Sequence, residues 1–203
     1  MTRRSLIGLA ILAVLLHSCN MDLDWREDEE NNNLIQPPAE VMDSVGVTKG
    51  MVIGEFGAGY GRFTVPLAAR VGDTGLIYAN DIDRSMLSFV EKRCRRAGLK
   101  NVRTILGRLD APLFPDGSLD MAFSSLVYHE IGAPLDFLKN LIPALKPGAP
   151  IVIVDNDPKL NTERSNVGRD WLREFEAAGL EVLRTERFKD RDVLFVLRVK
   201  PSS

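Results

Sequence analysis

Three glycines at alternating positions, Gly57, Gly59 and Gly61, follow a short apolar run that ends in the carboxylate of Glu55. Glycine is required where the backbone takes a positive φ or lies directly against a ligand. A helical pattern begins at Arg62, and the first turn of a helix offers free N–H groups and a partial positive charge. The segment therefore predicts a strand, a tight turn and a helix that bind a nucleotide-like ligand through a polar or anionic group.

Two carboxylates further along the chain are candidate ligand acceptors. Asp81 ends the next apolar run, about 20 positions after the turn at residues 57–61, which we call the glycine turn. An acidic side chain in this position can accept hydrogen bonds from both hydroxyls of a ribose. The competing interpretation is a helix N-cap, for which Asp is favoured; we assign the cap to Asp83 and the ribose to Asp81. Asp110 follows the third apolar run and is either a ligand acceptor or a turn residue.

The spacing of the glycines indicates which nucleotide is bound. The dinucleotide fingerprint G-x-G-x-x-G places its third glycine where this chain has Arg62, which disfavours a dinucleotide oxidoreductase. The pattern E-x-G-x-G-x-G instead resembles the first motif of the class I S-adenosylmethionine (SAM) methyltransferases. The phrases P-D-G-S-x-D at 115–120 and L-K-P-G at 145–148 are similar to stretches that precede the fourth and fifth strands of that family.

This resemblance implies that SAM is the cofactor and assigns residues to its parts. Glu55 and the three glycines would hold the methionine end, and Asp81 the ribose. Ile82 would lie beside the adenine and Asp110 would accept its amino group, while Leu126 would border the methyl group.

Two catalytic candidates follow the predicted fourth strand, at the edge where open α/β sheets bind ligands. His129 is a candidate general base, since imidazole titrates near neutrality. Its neighbour Tyr128 is the second candidate. The alternative for His129 is a structural role, in which it caps or packs the following helix. A base is needed only if the methyl acceptor must lose a proton.

The elements that position these residues alternate between strand and helix. Five apolar runs separated by helical segments predict a parallel sheet, because parallel neighbours require crossover connections. Residues 181–188 and 192–199 are joined by so short a link that they must form a hairpin. The predicted fold is α/β: a Rossmann-like, doubly wound, mostly parallel sheet of seven strands with an antiparallel C-terminal hairpin.

The composition excludes several classes of partner and site. The 203 residues carry a net charge of −2, without the basic excess typical of nucleic-acid binders. Two cysteines cannot build a disulfide framework, and no Cys/His cluster has metal-ligand spacing. The expected partner is a small-molecule methyl acceptor, and the sequence does not indicate an oligomeric state.

Residues 1–18 are typical of a bacterial export signal. Arg3 and Arg4 precede an apolar run over residues 6–16, which is shorter than the about 20 residues of a membrane-spanning helix. The segment from Leu16 to Cys19 resembles the lipobox of bacterial lipoproteins and predicts lipidation of Cys19. The alternatives are an uncleaved membrane anchor and a misassigned start codon.

The remaining chain divides into an acidic tether, which we expect to be disordered, at 19–36 and the methyltransferase domain at 37–203. The expected location is the cell envelope, with the protein lipid-anchored and facing outside the cytoplasm, or the cytoplasm if the signal is not used. SAM is made in the cytoplasm. The main alternative function is therefore a lipid-anchored module that binds SAM or a nucleotide without transferring a methyl group.

Overall fold

The computed structural model describes residues 25–159, 169–188 and 191–201 and divides the chain into two compact units, Met1–Pro37 and Pro38–Ser203. In the first unit, residues 25–35 are helical, which differs from the disordered tether predicted over 19–36. Glu and Arg are good helix formers, and the guanidinium of Arg26 lies 5.2 Å from the centre of the Trp25 ring. The predicted signal segment and Cys19 lie outside the described residues.

The second unit is built on one seven-stranded sheet with the order β3-β2-β1-β4-β5-β7-β6. The strands are β1 (Val52–Phe56), β2 (Leu76–Asp81), β3 (Val102–Leu106), β4 (Met121–Ser125), β5 (Ile151–Asn156), β6 (Leu180–Phe188) and β7 (Asp192–Val199). Strands β1 to β5 pair in parallel, whereas β7 is antiparallel to both β5 and β6. The predicted fold class and its C-terminal hairpin are thereby confirmed.

Among the described residues of the second unit, five α-helices accompany the sheet: α1 (Pro38–Ser44), α2 (Thr64–Val71), α3 (Arg84–Arg96), α4 (Pro134–Leu141) and α5 (Trp171–Ala177). Short 3-10 helices span Tyr128–Glu130 and Ile142–Ala144. The predicted cap of α3 is confirmed, because the Asp83 side chain accepts a hydrogen bond from the backbone N–H of Ser85. Within the described residues, no helix combines the length and the apolar character needed to cross a membrane.

Helices cover both faces of the sheet, which explains why the strands are almost continuously apolar. Phe63 and Leu67 belong to the hydrophobic cluster on one face, together with Ile53 of β1. Phe137 of α4 and Trp171 of α5 belong to the cluster on the other face. Because β1 to β5 are parallel, their carboxyl ends lie at one edge of the sheet, where the following loops meet.

Candidate active site

The glycine turn connects β1 to α2, and its three glycines all have positive φ: 71° for Gly57, 50° for Gly59 and 83° for Gly61. A Cβ built on Gly57 would lie 2.3 Å from Cγ2 of Val127, whereas a Cβ on Gly59 would meet no atom within 4 Å. Gly57 is therefore required because the loop after β4 packs against the turn. Gly59 borders open space that a side chain would fill.

Glu55 is buried at the end of β1, with only 3% of its surface exposed. Its Oε2 accepts a hydrogen bond from the hydroxyl of Thr64. Burial raises the pKa of Glu55 to about 7, although the Thr64 hydrogen bond and the charge of Arg62 oppose the rise. A buried carboxylate of this kind gains from a cationic ligand group that replaces its lost hydration.

The carboxylate of Asp81 faces the glycine turn. Its Oδ2 accepts from the N–H of Gly59 at 2.8 Å, and its Oδ1 accepts from the N–H of Asp83 at 2.9 Å. Each carboxylate oxygen can accept a further hydrogen bond, so two ribose hydroxyls can still bind here. The next residue, Ile82, is 57% exposed. The ribose and adenine roles of these two residues stay predictions, and the geometry is compatible with them.

Asp110 lies in a tight turn after β3, closed by backbone hydrogen bonds between Arg108 and Ala111. Its Oδ1 accepts from Nε of Arg108 at 3.1 Å, and its carbonyl accepts from the amide of Asn140 at 2.9 Å. Among the described residues, no hydrogen bond or ion pair joins Asp110 to the glycine turn or to Asp81. The turn interpretation accounts for these contacts, and the adenine role of Asp110 stays a prediction.

Leu126 adopts a strained backbone conformation immediately after β4. Its φ is 56°, in the left-handed region that costs a side chain about 1–2 kcal/mol. Its N–H donates to the carbonyl of Val154 at 2.8 Å, which fixes the bend to β5. The next residue, Val127, fills the space that a side chain on Gly57 would occupy. Strain of this kind is concentrated at functional sites.

Comparison with known proteins shows which proteins the chain is similar to. The sequence model of a family described as a methyltransferase domain matches residues 53–148. A SAM-dependent methyltransferase from Aquifex aeolicus has the same fold, with a TM-score of 0.73 and 26% identity over 80% of this chain and 89% of that one. Residues 53–148 thus match a methyltransferase domain, within a chain that has the fold of a SAM-dependent methyltransferase.

Curated relatives of this domain include methyltransferases whose names refer to ubiquinone or menaquinone. The ubiquinone/menaquinone biosynthesis C-methyltransferase UbiE of Enterobacter sp. (strain 638) is 28% identical over 115 residues, which are 56% of this chain and 46% of the relative. A demethylmenaquinone methyltransferase of Geobacillus sp. (strain WCH70) is 27% identical over 133 residues, 66% of this chain and 52% of the relative. The chain thus spans about half the length of these relatives.

SAM is the cofactor of this methyltransferase domain, and the side chains around the turn fit it chemically. The buried carboxylate of Glu55 suits the ammonium group of the methionine end. The acceptor oxygens of Asp81 suit the ribose hydroxyls. Open space in front of Gly59 leaves room for a ligand against the backbone.

Tyr128 is placed differently from its predicted catalytic role. Its side chain is fully buried and packs edge-on against Trp171, with ring centroids 5.0 Å apart. The hydroxyl donates to Oε2 of Glu174 at 2.8 Å. Burial, and then the neighbouring charge of Glu174, raise the pKa of Tyr128. The structure therefore gives Tyr128 a packing role, because a buried phenol that donates to a carboxylate is a poor proton acceptor.

His129 forms a pair with a buried carboxylate that the sequence analysis did not single out. Its Nδ1 lies 2.7 Å from Oδ1 of Asp155, and its backbone N–H donates to Oδ2 of the same side chain at 3.2 Å. Asp155 is fully buried and His129 is 8% exposed. Nε2 of the ring lies 3.2 Å from the exposed carboxylate of Glu130. The sequence does carry a signal for Asp155, because this acidic residue follows the apolar residues of β5 as Asp81 follows those of β2.

Arg169 links the turn after β4 to α5 through hydrogen bonds. No feature of the sequence around residue 169 indicates this role. Its Nη1 donates to the carbonyls of Tyr128 and His129 at 3.0 and 3.1 Å. Its Nε and Nη2 donate to the two carboxylate oxygens of Glu174 at 2.9 and 2.7 Å. These contacts hold the backbone of the catalytic candidate His129 against the start of α5.

Proposed function

We propose that the domain transfers the methyl group of SAM to a small-molecule acceptor. The observation that carries this proposal is that the glycine turn lies against both Asp81 and Val127. The chain leads from Val127 directly to His129, which pairs with Asp155. The names of the relatives, which are methyltransferases of ubiquinone and menaquinone biosynthesis, support a small organic acceptor. The net charge of −2 is consistent with a partner other than nucleic acid.

The side chains of this chain bind and orient the reactants. When bound, SAM would supply a methyl group carried on a sulfonium. An electron pair of the acceptor would form the bond to the methyl carbon, and the sulfur would keep the electrons of the broken carbon–sulfur bond. Glu55 pairs with the ammonium, Asp81 accepts the ribose hydroxyls, and Ile82 and Asp110 border the adenine. Leu126 and Val127 border the methyl group and exclude water from it. Orientation of this kind supplies most of the rate in a displacement with a good leaving group.

His129 is the proposed base that takes a proton from the acceptor. The Asp155 carboxylate accepts a hydrogen bond from Nδ1–H, so Nε2 is the ring nitrogen that takes the proton, and the exposed Glu130 carboxylate 3.2 Å from Nε2 accepts the N–H that forms. Asp155 also stabilises the imidazolium that forms when Nε2 takes the proton, as a buried carboxylate does for a catalytic histidine. Asp155 acts here through His129 and is a positioning residue.

The test follows a labelled methyl group. The purified chain is incubated with methyl-labelled SAM and a methanol extract of bacterial cells, and the label is counted in small organic products. We expect transfer by the natural chain and a rate about 10²- to 10⁴-fold lower in His129→Gln. Equal rates would remove His129 from the mechanism. Asp155→Asn should change the pH profile of the rate, which a merely structural role of Asp155 would not do.

The second candidate function is a module that binds SAM without transferring its methyl group. It is favoured by the export signal that residues 1–18 resemble, since SAM is made in the cytoplasm. Binding of SAM in the absence of any labelled product would support this alternative.

We propose further that residues 1–18 direct export and that Cys19 carries a lipid anchor. The support is the order of Arg3 and Arg4, the apolar run at 6–16 and the lipobox-like segment that ends at Cys19. Fusion to a reporter enzyme that is active only outside the cytoplasm should give activity, and Cys19→Ala should shift the protein from the membrane fraction to the soluble one. A silent reporter together with an unlipidated Cys19 would place the protein in the cytoplasm.

A further inference from the structure

Positive charge is concentrated in the segment that forms α3 and β3. Residues 84–108 contain eight basic side chains and one acidic side chain, Glu91, although the whole chain has a net charge of −2. All of these basic side chains except Arg93 are exposed. The positive potential of the segment therefore faces the solvent, where it attracts a negatively charged partner.

These charges line the open edge of the sheet. β3 is the outermost strand and pairs only with β2 among the described residues. On α3, Arg84, Glu91 and Arg95 recur at helical spacing and lie on one stripe. The carboxylate of Glu91 accepts a hydrogen bond from the hydroxyl of Thr104 at 2.7 Å, which places this stripe beside β3. Arg103, on the strand itself, projects to the other face of the sheet, because side chains alternate along a strand.

The few acidic groups near this edge are already engaged. Glu91 accepts from Thr104 and lies 3.8 Å from the guanidinium of Arg95. The carboxylate of Asp110 accepts from Nε of Arg108 at 3.1 Å. Within the described part of the chain, three exposed cations along the edge have no ion pair: Arg84, Lys100 and Arg103. The edge thus keeps a surplus of unneutralised positive charge.

Two leucines are exposed at the carboxyl end of the same edge. Leu106 ends β3 and is 37% exposed, and Leu109, in the turn that follows, is 75% exposed. Backbone hydrogen bonds between Arg108 and Ala111 close this turn, and the amide of Asn140 donates to its backbone at 2.9 Å. Leu109 is therefore held outward by a well-bonded turn. The exposed side chains of this edge, which we call the β3-edge surface, are Arg84, Arg95, Lys100, Arg103, Leu106 and Leu109.

The β3-edge surface adjoins the proposed cofactor site. Leu106 pairs with Asp81 in the register of the sheet, and the N–H of Gly107 donates to the carbonyl of Asp81 at 2.9 Å. A partner bound along this edge would therefore lie beside the carboxylate that we propose for the ribose.

We propose that the β3-edge surface docks on an anionic lipid bilayer. Its cations pair with the phosphates of the head groups, and Leu109 enters the boundary between head groups and acyl chains. Charges on an edge strand also prevent it from pairing with another chain, but that role does not explain the exposed leucines. A second copy of this chain fits less well, because a two-fold contact would bring like charges together. The docking goes beyond the proposed function and is separate from the lipid anchor proposed at Cys19.

A polarity-sensitive fluorophore at residue 109 tests the docking. The full chain carries Cys19→Ala, which removes the proposed anchor, and Leu109→Cys for labelling, while Cys94 is buried. Vesicles of equal parts phosphatidylcholine and phosphatidylglycerol should shift the emission of the label to the blue. Vesicles of phosphatidylcholine alone, or rising salt, should remove the shift.

The matched control is Leu172→Cys in the same Cys19→Ala chain. Leu172 is 51% exposed and belongs to α5, which packs on β6 at the opposite end of the sheet. Its label should give no shift with either kind of vesicle. Both labelled chains share the same N-terminal segment, so the difference between them reports which surface meets the lipid.

Removal of charge separates the β3-edge surface from general attraction to lipid. Lys100→Gln combined with Arg103→Gln should weaken binding to the anionic vesicles about 25-fold, or about five-fold for each cation. Arg173→Gln combined with Lys200→Gln removes the same charge from exposed residues near β6 and should change binding by less than about two-fold. Circular dichroism of both double variants should match that of the natural chain.

Three results with the vesicles would overturn the inference: no shift of the label at residue 109, an equal shift of the label at residue 172, or an equal loss of binding in the two double variants. Tighter binding of a short single-stranded RNA than of the anionic vesicles would assign the surface to nucleic acid and would also overturn it.

Discussion

Gly59→Ala should weaken SAM binding by about 10- to 100-fold while the fold persists. The new methyl group would enter the open space in front of the turn, where we propose that the cofactor binds against the backbone. Overfilling a site by one methyl group costs about 1–3 kcal/mol, which corresponds to this loss of affinity. The measurement is the dissociation constant of SAM by calorimetry, together with the free energy of unfolding in urea.

Gly98→Ala is the matched control for this prediction. Gly98 has a φ of 71°, and a Cβ there also meets no atom within 4 Å, but it follows α3 outside the glycine turn. Both variants should lose about 1 kcal/mol of stability from the left-handed backbone, and only Gly59→Ala should lose affinity. Equal affinities in the two variants would show that the space in front of Gly59 does not hold the cofactor.

Glu55→Gln should stabilise the cofactor-free protein at pH 8 by about 3 kcal/mol and have little effect near pH 5. In the folded protein the pKa of Glu55 is raised from 4.5 to about 7, so the folded state holds this proton more tightly than the unfolded chain does. Unfolding then releases the proton, and the stability of the natural protein falls as the pH rises from about 4.5 to 7. The neutral glutamine removes this loss while its carbonyl still accepts from Thr64. The measurement is urea unfolding at both pH values.

The same substitution should weaken SAM binding, because the ionised form of Glu55 pairs with the ammonium of the cofactor. The affinity of the natural protein should fall below about pH 7, and the affinity of Glu55→Gln should be low and flat with pH. Glu40→Gln makes the same change at an exposed residue and should alter neither quantity. A natural protein whose stability does not change between pH 5 and pH 8 would contradict the buried carboxylate at this site.

Features that depend on local sequence could be predicted well. The alternation of apolar runs and helical segments predicted the sheet, since each strand is followed directly in the sequence by the helix that crosses over to the next strand. The glycine turn and the Asp83 cap followed from the backbone conformations and hydrogen bonds that single residue types favour.

Features that depend on contacts between distant segments could not be predicted. Tyr128 is buried because Trp171 and Glu174 of α5 pack over it, and no pattern around residue 128 indicates that. The acidic residues at 25–35 were assigned to a disordered tether by their composition, whereas their helix propensity agrees with the observed helix.

Titration of the full chain with SAM, S-adenosylhomocysteine and NAD by calorimetry tests the central claim most directly. We predict that SAM and S-adenosylhomocysteine each bind at one site per chain and that NAD does not bind. Binding of NAD alone, or of none of the three, would contradict it.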